Sequence, residues 1–194
     1  MEKKIPLTID GKEIEARAGQ TILDVAREQG IYIPTLCHHA RTTNVGACRV
    51  CVVEVERQRF LQAACVFPVS AGMVVRTNSE RVVKSRRRTL ELMLANHPQD
   101  CLTCDLGGEC ELQDLTFRYG AGFSRFSEVK HHVVEKQFSP IVYFDAPRCI
   151  LCYRCVRVCN EGMGVGALGV INRGVVSEIA PNVGDHLECD ECGM

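Results

Sequence analysis

Thirteen of the 194 residues are cysteine, and they fall into closely spaced groups: Cys37, Cys48, Cys51 and Cys65; Cys101, Cys104 and Cys110; Cys149, Cys152, Cys155 and Cys159; then Cys189 and Cys192. Cysteine can close disulfides, bind metal as a thiolate or attack as a nucleophile. An odd count does not close a disulfide framework. The opening stretch MEKKIPLTIDGKEIEARAG is charged and strand-like, without the apolar run of a signal peptide. The expected compartment is therefore the reducing cytoplasm, where disulfides are rare. Thiolate ligation of metal is the chemistry that remains.

The first group is spaced C-x10-C-x2-C-x13-C. Three thiolates from a long loop and a fourth from beyond the next strand are the plant-type ferredoxin arrangement with altered spacing, which points to a [2Fe–2S] cluster. Gly46 and Ala47 precede Cys48, and small residues let backbone N–H groups approach the sulfurs. A structural zinc site also takes four cysteines and stays open as the alternative. The second group adds His97, four residues before Cys101, to give His97, Cys101, Cys104 and Cys110, with Gly107-Gly108 permitting a tight loop. Three thiolates and an imidazole can hold zinc or a [4Fe–4S] cube. Local spacing does not separate the two, and the neighbouring groups favour the cube.

Cys149, Cys152, Cys155 and Cys159 form C-x2-C-x2-C-x3-C, the bacterial ferredoxin run, in which the fourth cysteine ligates the other cluster of a pair. Asn160 replaces the usual proline. Cys189 and Cys192 begin a second run that stops at Gly193-Met194, so a C-terminal truncation of this domain is expected. Cys149, Cys152 and Cys155 serve one [4Fe–4S] cluster; Cys159, Cys189 and Cys192 serve a second. Each of these two lacks one ligand, and every cysteine is then assigned. The expected cofactors are one [2Fe–2S] and up to three [4Fe–4S] clusters, with two zinc ribbons as the competitor at the C-terminal end.

Elements must position these residues. KIPLTI and KEIEARA read as strands joined by Asp10-Gly11, a strong hairpin signal. Thr21 opens the helix TILDVAREQG, paired with Asp24 as a cap, and Gly30 closes it. A cysteine-bearing loop and the strand RVCVVEVE follow. The expected class is α+β: a plant-type [2Fe–2S] ferredoxin (β-grasp) domain over 1–78, then a small helical [4Fe–4S] domain over 79–118 with one histidine and three cysteines as ligands. A connector over 119–140 leads to a truncated bacterial-type two-[4Fe–4S] ferredoxin domain over 141–194. In the helix starting near residue 80, Arg86-Arg87-Arg88 reads as a solvated face, or else as a docking surface for an acidic partner.

Composition excludes other classes. The net charge is -1, with 46% hydrophobic and 24% charged residues, which gives no bulk basicity for nucleic acid. No stretch reaches the roughly 18–20 apolar residues of a membrane span. His38, His39, His131, His132 and His186 lack ligand spacing and read as loop or surface residues. The glycines at 162, 164 and 166 do not follow a strand and open a helix as a dinucleotide fingerprint requires. No catalytic nucleophile or acid–base pair is visible, so no substrate-converting site is expected here.

Together, PTLCHHARTTNVGACRVC (34–51), CLTCDLGGECELQ (101–113) and RCILCYRCVRVC (148–159) resemble the N-terminal region of the large iron–sulfur subunit (the G subunit) of bacterial NADH:quinone oxidoreductase, respiratory complex I. The resemblance spans essentially the whole chain. Leu102 stands where that family usually has proline, and His38 and Val158 also depart from its pattern. Retention of Cys159, Cys189 and Cys192 is similar to the same module in NAD-linked and iron-only hydrogenases and NAD-dependent formate dehydrogenases. The resemblance implies a relay of single electrons from a flavin/NADH-binding subunit to downstream iron–sulfur subunits and quinone. It also implies a peripheral position on the cytoplasmic side of the membrane, without membrane insertion. His97 should lower the negative charge on the ligand set of its cube. Because metal binding to distant ligands is folding free energy, the cluster-free chain is expected to be poorly ordered; a cooperative thermal transition by circular dichroism after complete chelation would contradict this.

Overall fold

A computed structural model describes residues 4–122, 125–126 and 134–193. Strands β1 (Lys4–Ile9) and β2 (Lys12–Arg17) form an antiparallel hairpin with Ile9 opposite Lys12. Asp10 and Gly11 both have positive φ, at 49° and 83°, the conformation whose twist suits a two-residue hairpin. Alternation sends Leu7, Ile9, Ile14 and Ala16 inward, while Lys12, Glu15 and Arg17 face water. The Asp10 carboxylate also accepts from Thr77 N and Oγ1, tying the turn to the far end of the domain.

Helix α1 (Ile22–Glu28) starts with the capping box anticipated from Thr21 and Asp24. It buries Ile22, Leu23, Val25 and Ala26 against the sheet, and Gly30 follows its end at φ 69°. Strands β3 (Val52–Val55), β4 (Gln62–Ala63) and β5 (Met73–Arg76) complete a five-stranded sheet of order β2-β1-β5-β3-β4. The last strand in the chain thus lies in the middle, parallel to β1 and antiparallel to β3. Sequence reading missed β5 and the two-residue β4, because neither is long enough to display a period.

Helix α2 (Glu80–Asn96), capped by Ser79, packs on β3 and on α3 (Glu111–Tyr119). Its inner stripe is Val82, Arg86, Leu90 and Leu94, one residue per helical turn. Arg86 is therefore not on a solvated or docking face as its run of three arginines suggested. It is 1% exposed. Arg87 and Arg88 do face outward, and Arg87 pairs with Glu91. Beyond α3, β6 (Lys136–Gln137) and β7 (Tyr143–Phe144) form a small hairpin. A short helix α4 (Arg154–Arg157) runs into a π turn over Val158–Gly162. A last hairpin joins β8 (Leu168–Ile171) to β9 (Glu178–Pro181).

Two apolar cores result. One lies between the sheet and α1; the other gathers Leu36, Val50, Leu90, Leu94, Leu112 and Leu115 with Cys37, Cys48, Cys110 and Cys152 against it. Among the described residues, no helix is long and apolar enough to cross a membrane. Thr21→Ala removes the α1 cap and should lower stability by about 1 kcal/mol, read as a fall in urea midpoint at unchanged slope.

Candidate metal centres

The loop between α1 and β3 has no regular secondary structure, yet it carries Cys37, Cys48 and Cys51 into the interior; Cys65 comes from the turn after β4. All four sulfur-bearing residues are at most 7% exposed. They meet in two pairs. Cys48 N donates to Cys37 Sγ at 3.5 Å, and Cys51 Sγ lies 3.4 Å from Cys65 Sγ. Within each pair one sulfur donates to the other, which drives the Cys37 and Cys51 thiols up and those of Cys48 and Cys65 down, Cys48 to about 5. Backbone N–H groups of Ala47 and Gly46 further favour thiolate at Cys37 and Cys65. The small residues before Cys48 therefore aim amides at sulfur.

Two arginines hold this loop from outside. Arg86 on α2 donates Nε to Val50 O (3.0 Å), Nη2 to Val52 O (2.8 Å) and Nη1 to Tyr119 Oη (2.9 Å). Arg157 on α4 donates to the carbonyls of Cys37 and Thr43, and to Thr42 Oγ1 at 2.9 Å. Glu161 accepts from Thr43 N and Oγ1, and those two bonds hold its carboxyl below the usual range. Sequence reading found none of these roles. The available signal was the phase of Arg86 on its helix; Arg157 and Glu161, more than a hundred residues from their loop partners, gave none.

His97, Cys101, Cys104 and Cys110 line one cavity of about 50 Å³. Helix α2 ends at His97 and α3 begins after Cys110, so two helix ends and the turn between them form the walls. Gly107 N donates to Cys104 O at 2.8 Å. A Cβ at Gly107 would lie 2.4 Å from Cys101 O, so this position excludes any side chain. Gln113 Oε1 accepts from Gly108 N (2.9 Å) and Leu112 is buried, which accounts for the Leu-Gln after Cys110. Cys101 is exposed, and its neighbour Leu102 is fully so.

Cys149, Cys152 and Cys155 lie within electrostatic reach of one another, and burial pushes the Cys149 and Cys155 thiols up. Left-handed Leu151 and Tyr153 (φ 52° and 60°) curl the chain between them. Cys159 Sγ accepts from Ala167 N at 3.2 Å. No hydrogen bond among the described residues joins Cys159 to Cys189 or Cys192. Arg148 ties the second and third groups together, reaching Asp100 at 2.6 Å as well as Asp145, and Arg154 meets Glu111 at 3.0 Å. His38 is half-buried beside Arg27 and His186 is exposed; His131 and His132 lie outside the described residues.

None of the thirteen cysteines is in a disulfide. Among the described residues, no three His, Cys, Asp or Glu side chains converge on a point that a lone metal ion could occupy. Two thiol pairs with amides directed at sulfur do suit a bridged two-iron group, in which each iron takes two thiolates. The donors present fit an iron–sulfur centre.

Three family descriptions match in tandem: a 2Fe-2S iron-sulfur cluster binding domain over residues 2–80, the NADH-ubiquinone oxidoreductase-G iron-sulfur binding region over 86–125, and the ferredoxin-like domain of NADH-quinone oxidoreductase subunit 3 over 139–193. The second of two NADH-quinone oxidoreductase G subunits of Rhizobium meliloti (strain 1021) is 44% identical over 191 residues, covering 97% of this chain and 22% of the relative. The mitochondrial NADH-ubiquinone oxidoreductase 78 kDa subunit of Neurospora crassa is 41% identical over 192 residues, covering 98% and 26%. The chain thus spans about a quarter of the length of these curated relatives. A chain in the crystal structure of an NAD+-reducing [NiFe]-hydrogenase in the H2-reduced state superposes with a TM-score of 0.85 at 35% identity, over 92% of this chain and 75% of that one. With its mixed α+β iron–sulfur binding domains following one another in that order, the chain belongs to the iron–sulfur family of the NADH-quinone oxidoreductase G subunit, which extends to this hydrogenase chain.

Proposed function

We propose that the chain is the electron-transfer part of an NADH:quinone oxidoreductase (complex I), relaying single electrons from an NADH/flavin subunit through iron–sulfur centres towards quinone. The observation that carries this is the pairing of four buried thiols, Cys37 with Cys48 and Cys51 with Cys65, beside a core that also takes in Cys110 and Cys152. Two sulfurs at each end suit a rhomb better than the single point of a zinc ion. Bound iron–sulfur clusters supply reversible one-electron storage.

In this reading Cys37, Cys48, Cys51 and Cys65 hold a [2Fe–2S] cluster in a plant-type, β-grasp ferredoxin domain over 1–78. The sheet order with α1 across one face supports that fold. His97, Cys101, Cys104 and Cys110 hold a [4Fe–4S] cluster in the domain over 79–118, supported by the cavity they line. After the connector over 119–140, the domain over 141–194 takes a third cluster on Cys149, Cys152 and Cys155, and a fourth on Cys159, Cys189 and Cys192. Ligands from outside this stretch complete both. The chain's own residues orient the sulfurs, aim amides at them and exclude water; none of them transfers a proton to a substrate. The partners are a flavin subunit upstream and cluster-bearing subunits downstream, peripheral on the cytoplasmic side of the membrane. The hydrogenase likeness, with Cys159, Cys189 and Cys192 all present, favours a second reading, the same module in an NAD-linked hydrogenase or formate dehydrogenase.

Anaerobically purified protein should be brown, contain iron and acid-labile sulfide, and give the paramagnetic signal of a reduced two-iron centre with dithionite; a colourless protein with stoichiometric zinc would end the proposal. Gly107→Ala should abolish the signal of the His97 centre and lower iron by about one cube's content, while the two-iron signal persists, because the new Cβ collides with the Cys101 carbonyl.

A further inference from the structure

Arg86 and Arg157 are the two buried arginines among the described residues, at 1% and 7% exposure. Burial of a cation is costly without a counter-charge, yet neither forms an ion pair with a carboxylate among the described residues. The buried acid Glu91 shows the contrast, since Arg87 and Arg125 both reach it. Glu161, the acid nearest to Arg157 in effect, is exposed and occupied by Thr43. Both guanidinium groups instead spend their donors on the carbonyls of one loop. Arg86 takes Val50 and Val52, which flank Cys51; Arg157 takes Cys37 and Thr43. Carbonyl dipoles solvate a cation but leave its charge uncancelled. The anion positioned to cancel it is the four-sulfur group that this loop carries, and the Cys51 thiolate is among the groups that keep Arg86 charged against burial and beside Tyr119.

We propose that Arg86 and Arg157 are electrostatic positioning residues of the first centre, two permanent cations that balance the anion held by Cys37, Cys48, Cys51 and Cys65 and raise its reduction potential. This rests on the [2Fe–2S] reading above. A two-iron centre with four thiolates is a dianion when oxidised; one electron from a reduced flavin or another iron–sulfur centre makes it a trianion, with no bond broken and no proton moved. A fixed positive charge favours the more negative state. Arginine keeps that charge at every working pH. At this range one buried charge shifts the reduction equilibrium by on the order of tenfold, equivalent to about 59 mV for a one-electron couple.

The test is a redox titration of the two-iron signal in the reconstituted chain, comparing Arg86→Gln, Arg157→Gln, the two Lys variants and Arg88→Gln. Arg88 sits on α2 beside Arg86 but faces solvent, where its charge is screened. Each Gln variant should bind the electron about tenfold less favourably, each Lys variant should stay within about threefold of the parent, and Arg88→Gln should not move. A purely structural role predicts lost cluster content with no potential shift in the loaded fraction, and that result overturns the inference. If a Gln variant does not load, its Lys counterpart decides, because a tenfold fall despite retained charge also overturns it. Parent protein without acid-labile sulfide or a two-iron signal sinks the [2Fe–2S] reading itself, whereas a good parent signal with unmoved variants sinks only the role of the arginines.

Discussion

A buried loop without regular structure has to find donors for its own carbonyls, and everything around the first four cysteines follows from that requirement. The segment between α1 and β3 cannot satisfy them with a ladder, because Cys37, Cys48 and Cys51 must turn their sulfurs toward Cys65. Side chains supply what the backbone cannot. Arg86 arrives from a helix that lies later in the chain, and Arg157 from a turn later still. Arginine suits the task because its planar fork reaches two carbonyls at once. The loop is therefore built by three segments that sequence places far apart, and its shape belongs to the whole molecule rather than to the N-terminal sheet.

The same contacts set how the cysteine groups sit relative to one another. Arg157 and Glu161 fasten the first loop to the C-terminal cysteine run, while Arg148 fastens that run to Asp100 beside the second group. Leu90, Leu94, Leu112 and Leu115 fill the space between. An apolar, close-packed interior of this kind deforms little, so distances between centres are held by packing instead of by hinge loops. It is also poorly polarisable, which amplifies any fixed charge placed in it.

Sequence revealed the parts that repeat a pattern. The β1–β2 turn at Asp10-Gly11, the Thr21–Asp24 cap and the length of α2 were all legible, because each depends on residues within a few positions. The cysteine groupings were legible for the same reason. The convergence of Cys65 with Cys51, of Arg86 with Val50 and of Arg157 with Cys37 was not, since no local period encodes a contact across fourteen, 36 or 120 residues. Arg86 shows the limit most clearly. Three arginines in a row look solvated until the helix phase is set by Val82 and Leu90, and one of the three then has to point inward. Short β4 and β5 escaped because pairing, not propensity, makes them strands.

The position of β5 has a consequence for how the chain is made. Its partners β1 and β3 flank it on either side, so the sheet has no centre until Met73–Arg76 arrives. On the ribosome, where synthesis runs from the N-terminus, Cys37, Cys48, Cys51 and Cys65 all emerge before that strand does. The hairpin and α1 can form early on local contacts, while the parallel pairing of residues 7–9 with 73–75 waits on a long chain closure. During that interval the four thiols are tethered near one another but not yet enclosed, which is the stage at which a bulky inorganic guest can still enter.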